Sequence, residues 1–248
     1  MAALTAAAVV GSTGLVGSLI LSNIIAHDAY KPVHTITRRA PKTSSPNLNC
    51  IVDTDTTKWA SALSALSPAP RILFSALGTT RAAAGGIENQ WKIDHDLNIE
   101  LAKAAKDAGV KTLVFISSSG TRYPGVSTLS PYAKMKNGVE DAIRELGFDH
   151  AVILKPGMIL GEREQSRFAE GIFQKVVRGM GRVHAGLQNA VGQEAEVIAR
   201  AAIKAAQLAE GGHAPDKYWV VEASEILNLG KSLDDAAGAG AGAGQEKA

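Results

Sequence analysis

The sequence predicts one α/β domain in which a mainly parallel sheet carries helices on both faces. Short apolar segments alternate with segments of helical periodicity along most of the chain, which is typical of repeated strand–helix–strand units. The first apolar segment leads directly into a glycine-rich turn and then a helix. With 248 residues, of which 46% are hydrophobic, the chain is long enough to bury a large core. We therefore expect a doubly wound fold with a small C-terminal substrate-binding region.

The strands are predicted where apolar residues run together between turn residues. We expect them at 6–10, 33–37, 50–52, 71–77, 111–116, 151–154 and 218–221. Helical spacing predicts helices after the glycine turn, at 59–66, 93–108, 132–146, 166–178 and 194–209, and after Ser224, the predicted N-cap of the last helix. Residues 82–86 and 121–131 are predicted loops, the first of them mobile.

The domain is expected to cover residues 1–235, with the substrate side formed mainly by residues 157–231. Alanine and glycine alternate over 236–244, a composition that favours no packed structure, so we predict a disordered tail over 236–248. About five residues precede the first strand, which leaves no room for a cleavable signal or transit peptide. No apolar run approaches the ~18–20 residues needed to span a bilayer.

Charge and cysteine content exclude several classes of function. A formal charge of +2, without a block of lysines or arginines, argues against nucleic acid as a partner. The single cysteine, Cys50, excludes an internal disulfide framework and a cysteine-cluster metal site, and it favours a reducing compartment. We expect no metal site, since His95 between two aspartates is better explained as a solvated or capping histidine.

The turn at residues 11–17 has the composition of a dinucleotide-binding turn. Gly11 permits a tight turn, Gly14 allows the main chain to approach a pyrophosphate, and Gly17 allows the helix to pack closely on the strand. The free N–H groups of the following helix favour an anion. The spacing is G-x-x-G-x-x-G, and the alternative is a plain turn before a helix. We predict that this turn contacts the cofactor through Gly11, Ser12, Thr13, Gly14, Leu15 and Val16.

The end of the second strand indicates which cofactor is bound. NAD-dependent enzymes usually place an acidic residue there, against the ribose 2′-hydroxyl. This sequence has Arg38 and Arg39 instead, and two guanidinium groups can bind a 2′-phosphate. The sequence therefore predicts NADP, or NADPH in its reduced form, rather than NAD. The alternative is a solvated pair of surface arginines.

Tyr132 and Lys136 are separated by one helical turn, so they share a face of the predicted helix. The positive charge of the lysine favours the phenolate and lowers the pKa of the tyrosine. Such a tyrosine can exchange a proton with a carbonyl oxygen while a hydride moves to the carbon. Ser119, which follows the preceding strand, is placed to hydrogen-bond the same oxygen, although Ser118 could serve instead. These residues predict a reductase of a small carbonyl compound.

The turn, the residues Ser119, Tyr132 and Lys136, and the segment 155–157 resemble the short-chain dehydrogenase/reductase superfamily in its extended and atypical branches. Segments 77–81, 94–97 and 161–167 resemble one atypical subgroup more closely, that of the human Tat-interacting oxidoreductase-like protein and the fungal proteins found in the mitochondrial proteome. The similarity covers roughly residues 5–231. It implies a Rossmann-type fold, NADPH binding and, for the fungal branch, a peripheral position at the mitochondrial outer membrane. We also assign Asp53, Leu77, Gly78, Lys136 and Pro156 to the cofactor site.

One residue departs from the family pattern. Members of this superfamily often carry an asparagine near the start of the fourth helix that takes part in a proton relay, and the resemblance puts Asp94 at this place. An NADP(H)-binding regulatory or scaffold protein with little turnover is therefore the alternative function. An epimerase or dehydratase that retains its cofactor is a third.

The remaining expectations concern the region after residue 160. Arg163 and Arg167 could bind an anionic substrate or simply be surface charges. Residues 168–182 combine an apolar stripe with an excess of basic residues, which suits a membrane surface as well as a helix covering the substrate pocket. The resemblance favours the outer-membrane location, with the cytoplasm as the alternative. The oligomeric state is not predicted.

Overall fold

The computed structural model describes residues 5–161 and 192–231 and places seven strands in one parallel sheet. These strands are β1 (Ala7–Val10), β2 (Val33–Thr37), β3 (Leu48–Val52), β4 (Ile72–Ser75), β5 (Thr112–Ile116), β6 (His150–Lys155) and β9 (Tyr218–Glu222). They lie in the order β3-β2-β1-β4-β5-β6-β9, and every neighbouring pair is parallel. A second, two-stranded parallel sheet joins β7 (Met158–Leu160) to β8 (Gly192–Glu194).

Helices cover both faces of the large sheet. They are α1 (Leu15–Ala26), α2 (Trp59–Ser64), α3 (Arg81–Ala84), α4 (Ile87–Trp91), α5 (Leu97–Asp107), α6 (Val126–Leu129), α7 (Pro131–Leu146), α8 (Ala195–Glu210) and a helix over 223–231. A 3-10 turn at Thr56–Lys58 precedes α2, and a π-helical segment at Lys92–Asp96 joins α4 to α5.

Two apolar cores result, one on each face of the sheet. Alternate strand residues such as Val9 and Phe74 pack with α1 and α8, whereas their neighbours, such as Leu73 and Phe115, pack with α2, α5 and α7. The near-continuous apolar strands of the sequence are explained by this arrangement, because a parallel sheet is buried on both faces. The predicted doubly wound α/β fold is confirmed.

The strand order reverses beside β1, which lies between β2 and β4. Crevices for ligands in open α/β sheets form outside the carboxyl ends of the strands at such a switch point. The turn at 11–17, the two arginines after β2 and the residues after β4 therefore meet at the same edge of the sheet.

Three local predictions are wrong. Residues 82–86 are not simply a loop, because the Thr80 side chain accepts a hydrogen bond from the N–H of Ala83 and caps α3. The loop at 121–131 contains α6. Ser224 does not cap the last helix, because this helix begins at residue 223, directly after β9. The predicted helix at 166–178, Arg163, Arg167, the basic stripe at 168–182 and the tail at 236–248 lie outside the described residues.

Candidate functional site

The turn after β1 is packed so tightly that two of its glycines cannot carry a side chain. Gly11 has φ +79°, and a Cβ atom on it would lie 2.5 Å from the carbonyl carbon and oxygen of Ala76. A Cβ atom on Gly17 would overlap the carbonyl oxygen of Gly11. The first glycine therefore allows the turn to cross the end of β4, and the other allows α1 to pack against the turn.

The N-terminus of α1 is open at the same place. Gly14 occupies the N-cap position without a side-chain cap, and its own N–H donates to the carbonyl of Gly11 over 2.9 Å. Gly14 is exposed. Because the first N–H groups of a helix have no partner within it, this end of α1 offers donors and a positive dipole end to an anion. This cradle of glycines fits the pyrophosphate of a dinucleotide.

Ser12 faces away from that cradle. Its side chain is fully buried, and its hydroxyl donates to the hydroxyl of Thr35 over 2.6 Å, since Thr35 itself donates to the carbonyl of Val9. This hydrogen bond holds the turn to β2. If Ser12 contacts the cofactor as predicted, it does so through its main chain, because its side chain is bonded to Thr35.

The loops after β2 and β3 are tied to each other beside the two arginines. Arg38 and Arg39 are exposed, and the Thr37 hydroxyl donates to the carbonyl of Arg39. The N–H of Asp53 donates to the carbonyl of Thr37 over 2.9 Å, and an Asp53 carboxylate oxygen accepts the N–H of Asp55. The structure thus brings Asp53 next to the arginine pair at the predicted adenosine end of the site.

Helix α7 carries three polar side chains at intervals of one helical turn. Tyr132 lies in its first turn and is 40% exposed, Lys136 is 4% exposed, and Glu140 is 1% exposed. The helix begins at Pro131, and the Ser130 hydroxyl accepts the N–H of Ala133 as its N-cap. The exposure therefore falls along one face of α7, from an accessible phenol to two charges inside the protein.

Lys136 is a buried cation with a weak set of direct partners. Its Nζ donates to the carbonyl of Ile116 over 3.1 Å and lies 4.8 Å from the centre of the Phe115 ring. Burial lowers the pKa of Lys136, while the charges of Asp94 and Glu140 act to raise it. The ammonium group is thus held at the carboxyl end of β5, where the serine segment, residues 117–122, starts.

Asp94 lies inside the π-helical segment and is 1% exposed. Its carboxylate accepts the N–H of Thr79 over 2.7 Å and the amide of Gln90 over 3.3 Å. Burial raises the pKa of Asp94, and the charge of Lys136 and these two hydrogen bonds oppose the shift. Asp94 therefore connects the segment after β4, which contains Leu77 and Gly78, to the lysine.

An asparagine side chain lies at the start of α5, but it belongs to Asn98 rather than to residue 94. Its amide donates to the carbonyls of Ile93 and Asp94, and its oxygen accepts the hydroxyl of Ser75. The sequence interpretation missed Asn98. The spacing of four residues from Asp94 on a buried helical face was the available signal.

The serine segment is attached to the end of β6. The N–H of Ser117 donates to the carbonyl of Leu154, and the N–H of Ser119 donates to the carbonyl of Pro156, both over 2.8 Å. The Ser117 hydroxyl donates to Glu140, whereas Ser118 and Ser119 are partly exposed. Pro156 and the serines thus lie together, and the choice between Ser118 and Ser119 stays open.

His95 is engaged in packing. Its ring lies 4.7 Å from the Trp91 ring, and its Nδ1 lies 2.7 Å from a carboxylate oxygen of Asp96. Within residues 5–161 and 192–231, no cluster of three or more His, Cys, Asp or Glu side chains has a geometry suited to a metal ion.

Residues 7–194 match the model of the NAD-dependent epimerase/dehydratase family. The chain belongs to this family. Over 228 residues it is 56% identical to the mitochondrial protein fmp52-2 of Aspergillus terreus, covering 92% of this chain and 98% of that protein. Over 232 residues it is 56% identical to the mitochondrial protein fmp-52 of Neurospora crassa, covering 92% of this chain and 96% of that protein. The predicted resemblance is confirmed.

Solved structures of two enzymes share the fold. The Bordetella bronchiseptica enzyme WbmH, solved with NAD+, has a TM-score of 0.66 and 16% identity, covering 95% of this chain and 82% of that chain. A UDP-N-acetylglucosamine 4-epimerase from Methanobrevibacter ruminantium has a TM-score of 0.64 and 19% identity, covering 88% and 76% of the two chains. The epimerase/dehydratase family member described here therefore has an NAD(P)-binding fold of Rossmann type. Among its described helices, none is long and apolar enough to cross a membrane.

Proposed function

We propose that this protein is an NADPH-dependent reductase of a small carbonyl compound. The observation that carries the proposal is the buried ammonium of Lys136 at the carboxyl end of β5, one helical turn after the accessible phenol of Tyr132. A strongly desolvated charge beside an exposed acid in such a crevice is typical of a catalytic site. The open glycine turn beside it supplies the place for the pyrophosphate.

The residues divide the reaction between them. NADPH, held by the turn at residues 11–17 and the N-terminus of α1, would supply the hydride for the carbonyl carbon. Tyr132 donates its phenolic proton to the carbonyl oxygen, and the positive charge of Lys136 stabilises the phenolate that remains. Ser119, or Ser118 in its place, donates a hydrogen bond to the same oxygen and orients it.

The choice of NADPH over NADH rests on Arg38 and Arg39, which are exposed directly after β2. A hydrogen bond to a charged group contributes roughly 1.5–3 kcal/mol, so we expect NADPH to bind on the order of ten- to hundredfold more tightly than NADH. Titration of both cofactors by fluorescence measures this ratio. Arg38→Ala/Arg39→Ala should abolish the preference, and Arg71→Ala, an exposed arginine at the opposite end of β4, is the matched control. A preference that survives the double substitution would exclude the arginines as its source.

The chemical step is tested with Tyr132→Phe, which removes one oxygen atom. We expect the affinity for NADPH to change little and turnover to fall by roughly a hundredfold or more, the scale of general acid catalysis. A screen of carbonyl compounds that follows the absorbance of NADPH supplies the substrate. Equal turnover of the variant and the wild type would remove Tyr132 from the mechanism.

A second candidate function is NADP(H) binding without turnover, as in a regulatory or scaffold protein. Asp94 favours it, because a buried carboxyl near Lys136 changes the group through which a proton would be relayed. Tight NADPH binding without oxidation of NADPH by any carbonyl compound would support this candidate. An epimerase or dehydratase would instead retain its cofactor through purification.

The location we propose is the surface of the mitochondrial outer membrane. It is supported by the names of the relatives, which are called mitochondrial proteins. A peripheral protein should be released from mitochondria by alkaline carbonate, and protease added to intact mitochondria should digest it. Retention in the carbonate pellet, or protection from protease, would contradict the proposal.

A further inference from the structure

The carboxylate of Glu140 joins three parts of the chain around the candidate site. One oxygen accepts the hydroxyl of Ser117, directly after β5. The other oxygen lies 3.1 Å from Nζ of Lys155, at the end of β6, and 3.1 Å from Nε of Arg122, in the loop that follows β5. The carboxylate therefore joins α7 to the ends of two neighbouring strands and to the loop between them.

Ser118 and Ser119 lie between two of these attachments. Ser117 precedes them and Arg122 follows them, and both contact the same carboxylate. On the other side, Lys155 precedes Pro156, whose carbonyl accepts the N–H of Ser119. Glu140, four residues after Lys136 and eight after Tyr132, is thus the buried member of the α7 contacts to this loop. The amide of Asn137, which donates to the carbonyl of Thr121, and the exposed carboxylate of Asp141, which pairs with Arg122, are the others.

We propose that Glu140 is a positioning residue, which fixes the serine segment 117–122 (here the serine loop) against the helix that carries Tyr132 and Lys136. The catalytic importance of this assignment rests on the proposed function. The contacts of the Glu140 carboxylate with Ser117, Arg122 and Lys155, here called the Glu140 clamp, are present in the structure. A carboxylate that binds two cations through one oxygen and a hydroxyl through the other holds its partners more firmly than neutral hydrogen bonds alone do. Functional groups need such support because small displacements reduce the rate strongly.

The test compares Glu140→Gln with Asp141→Asn. Glutamine keeps the size of residue 140 but loses the charge that pairs with Lys155 and Arg122. Asp141 is the matched control, because it also bonds Arg122, over 2.6 Å, but its side chain is 49% exposed. Amide hydrogen exchange is followed at Ser117 and Ser119, which report the attachment of the serine loop to β6, and at Val9 and Val10, which report the sheet.

We expect Glu140→Gln to accelerate exchange at Ser117 and Ser119 on the order of tenfold or more beyond any acceleration at Val9 and Val10, which report the global loss of stability from the broken ion pair, with NADPH affinity retained. Turnover should fall by a similar factor through kcat rather than through the KM for NADPH. Asp141→Asn should resemble the wild type. If the glutamine variant does not fold, Ser117→Ala removes one attachment and should give the same selective loosening.

Two results would overturn the proposal. One is exchange of the serine loop at the wild-type rate. The other is acceleration that appears equally at Val9 and Val10, because this would show a general loss of stability. The exchange measurement needs no substrate, so a failure of the proposed reductase activity would show only in turnover, and a failure of the clamp would show in exchange.

Discussion

Lys136 and Lys155 are two buried lysines at neighbouring strand ends, and they differ in what surrounds their charges. Lys155 lies 3.1 Å from the carboxylate of Glu140, in contact with its counter-ion. Lys136 donates to a backbone carbonyl, and the carboxylates of Asp94 and Glu140 act on it only through longer-range charge. A buried ion in contact with its partner fixes structure, whereas a buried ion without a contact partner keeps its charge available for a ligand or a reacting group.

The largest test of this contrast is the pair of substitutions Lys155→Met and Lys136→Met. Removing Lys155 leaves the Glu140 carboxylate buried with Arg122 and Ser117 alone, so we expect a loss of about 3–5 kcal/mol in the free energy of unfolding. Removing Lys136 relieves a desolvated charge and should change stability by about 1 kcal/mol or less, because Asp94 can take up a proton. Urea denaturation measures both.

Lys111→Met is the control for losing a lysine as such. Its ammonium pairs with Asp149 over 3.5 Å, with both side chains about half exposed. Such a surface pair contributes roughly 0–1 kcal/mol. If Lys136→Met destabilises as strongly as Lys155→Met, the two lysines have the same structural role and the contrast is wrong.

The sequence predicted well what depends on neighbours along the chain. The turn at 11–17 and the buried strands depend on local composition, and so do the helix ends at Gly109 and Gly147, both of which have positive φ. The contacts of Glu140 could not be predicted, because a glutamate in a helix with exposed charges looks solvated. Its burial results from the order β5-β6-β9, which brings Lys155 beside α7. Asn98 was missed for a related reason, since its partners are backbone carbonyls of a π-helical segment.

Gly138 sets how closely α7 approaches Asp94. A Cβ atom on Gly138 would lie 2.5 Å from Nε2 of His95, which neighbours Asp94 in the π-helical segment. Gly138→Ala should gain about 1 kcal/mol of helix propensity but lose about 1–3 kcal/mol to the overlap, a net destabilisation of about 1 kcal/mol. In a His95→Ala background the overlap is gone, and the same substitution should stabilise. A double-mutant cycle by thermal unfolding measures the coupling, and additive effects would show that His95 does not limit the approach.

The pH dependence of the free energy of unfolding distinguishes two kinds of buried carboxylate by its sign. Burial raises the pKa of Asp94 above its ordinary value of 3.8. An acid whose pKa is raised in the folded state contributes stability that is fully present below pH 3.8 and is lost as the pH rises through the raised value. A carboxylate held in a contact ion pair has a lowered pKa and behaves in the opposite way, losing its contribution in acid.

Asp94→Asn removes the titration, and the changed hydrogen bonds to Thr79 and Gln90 add only a constant offset. Between pH 4 and pH 7, wild-type stability should therefore fall relative to the variant, by roughly 1.4 kcal/mol for each unit of pKa shift. Urea denaturation of both proteins across this range measures the difference. A wild type that gains stability relative to the variant as the pH rises would mean that Asp94 is a firm counter-ion of Lys136 and that the lysine is as structural as Lys155. Parallel curves would mean that folding does not shift the pKa of Asp94, which would contradict the prediction.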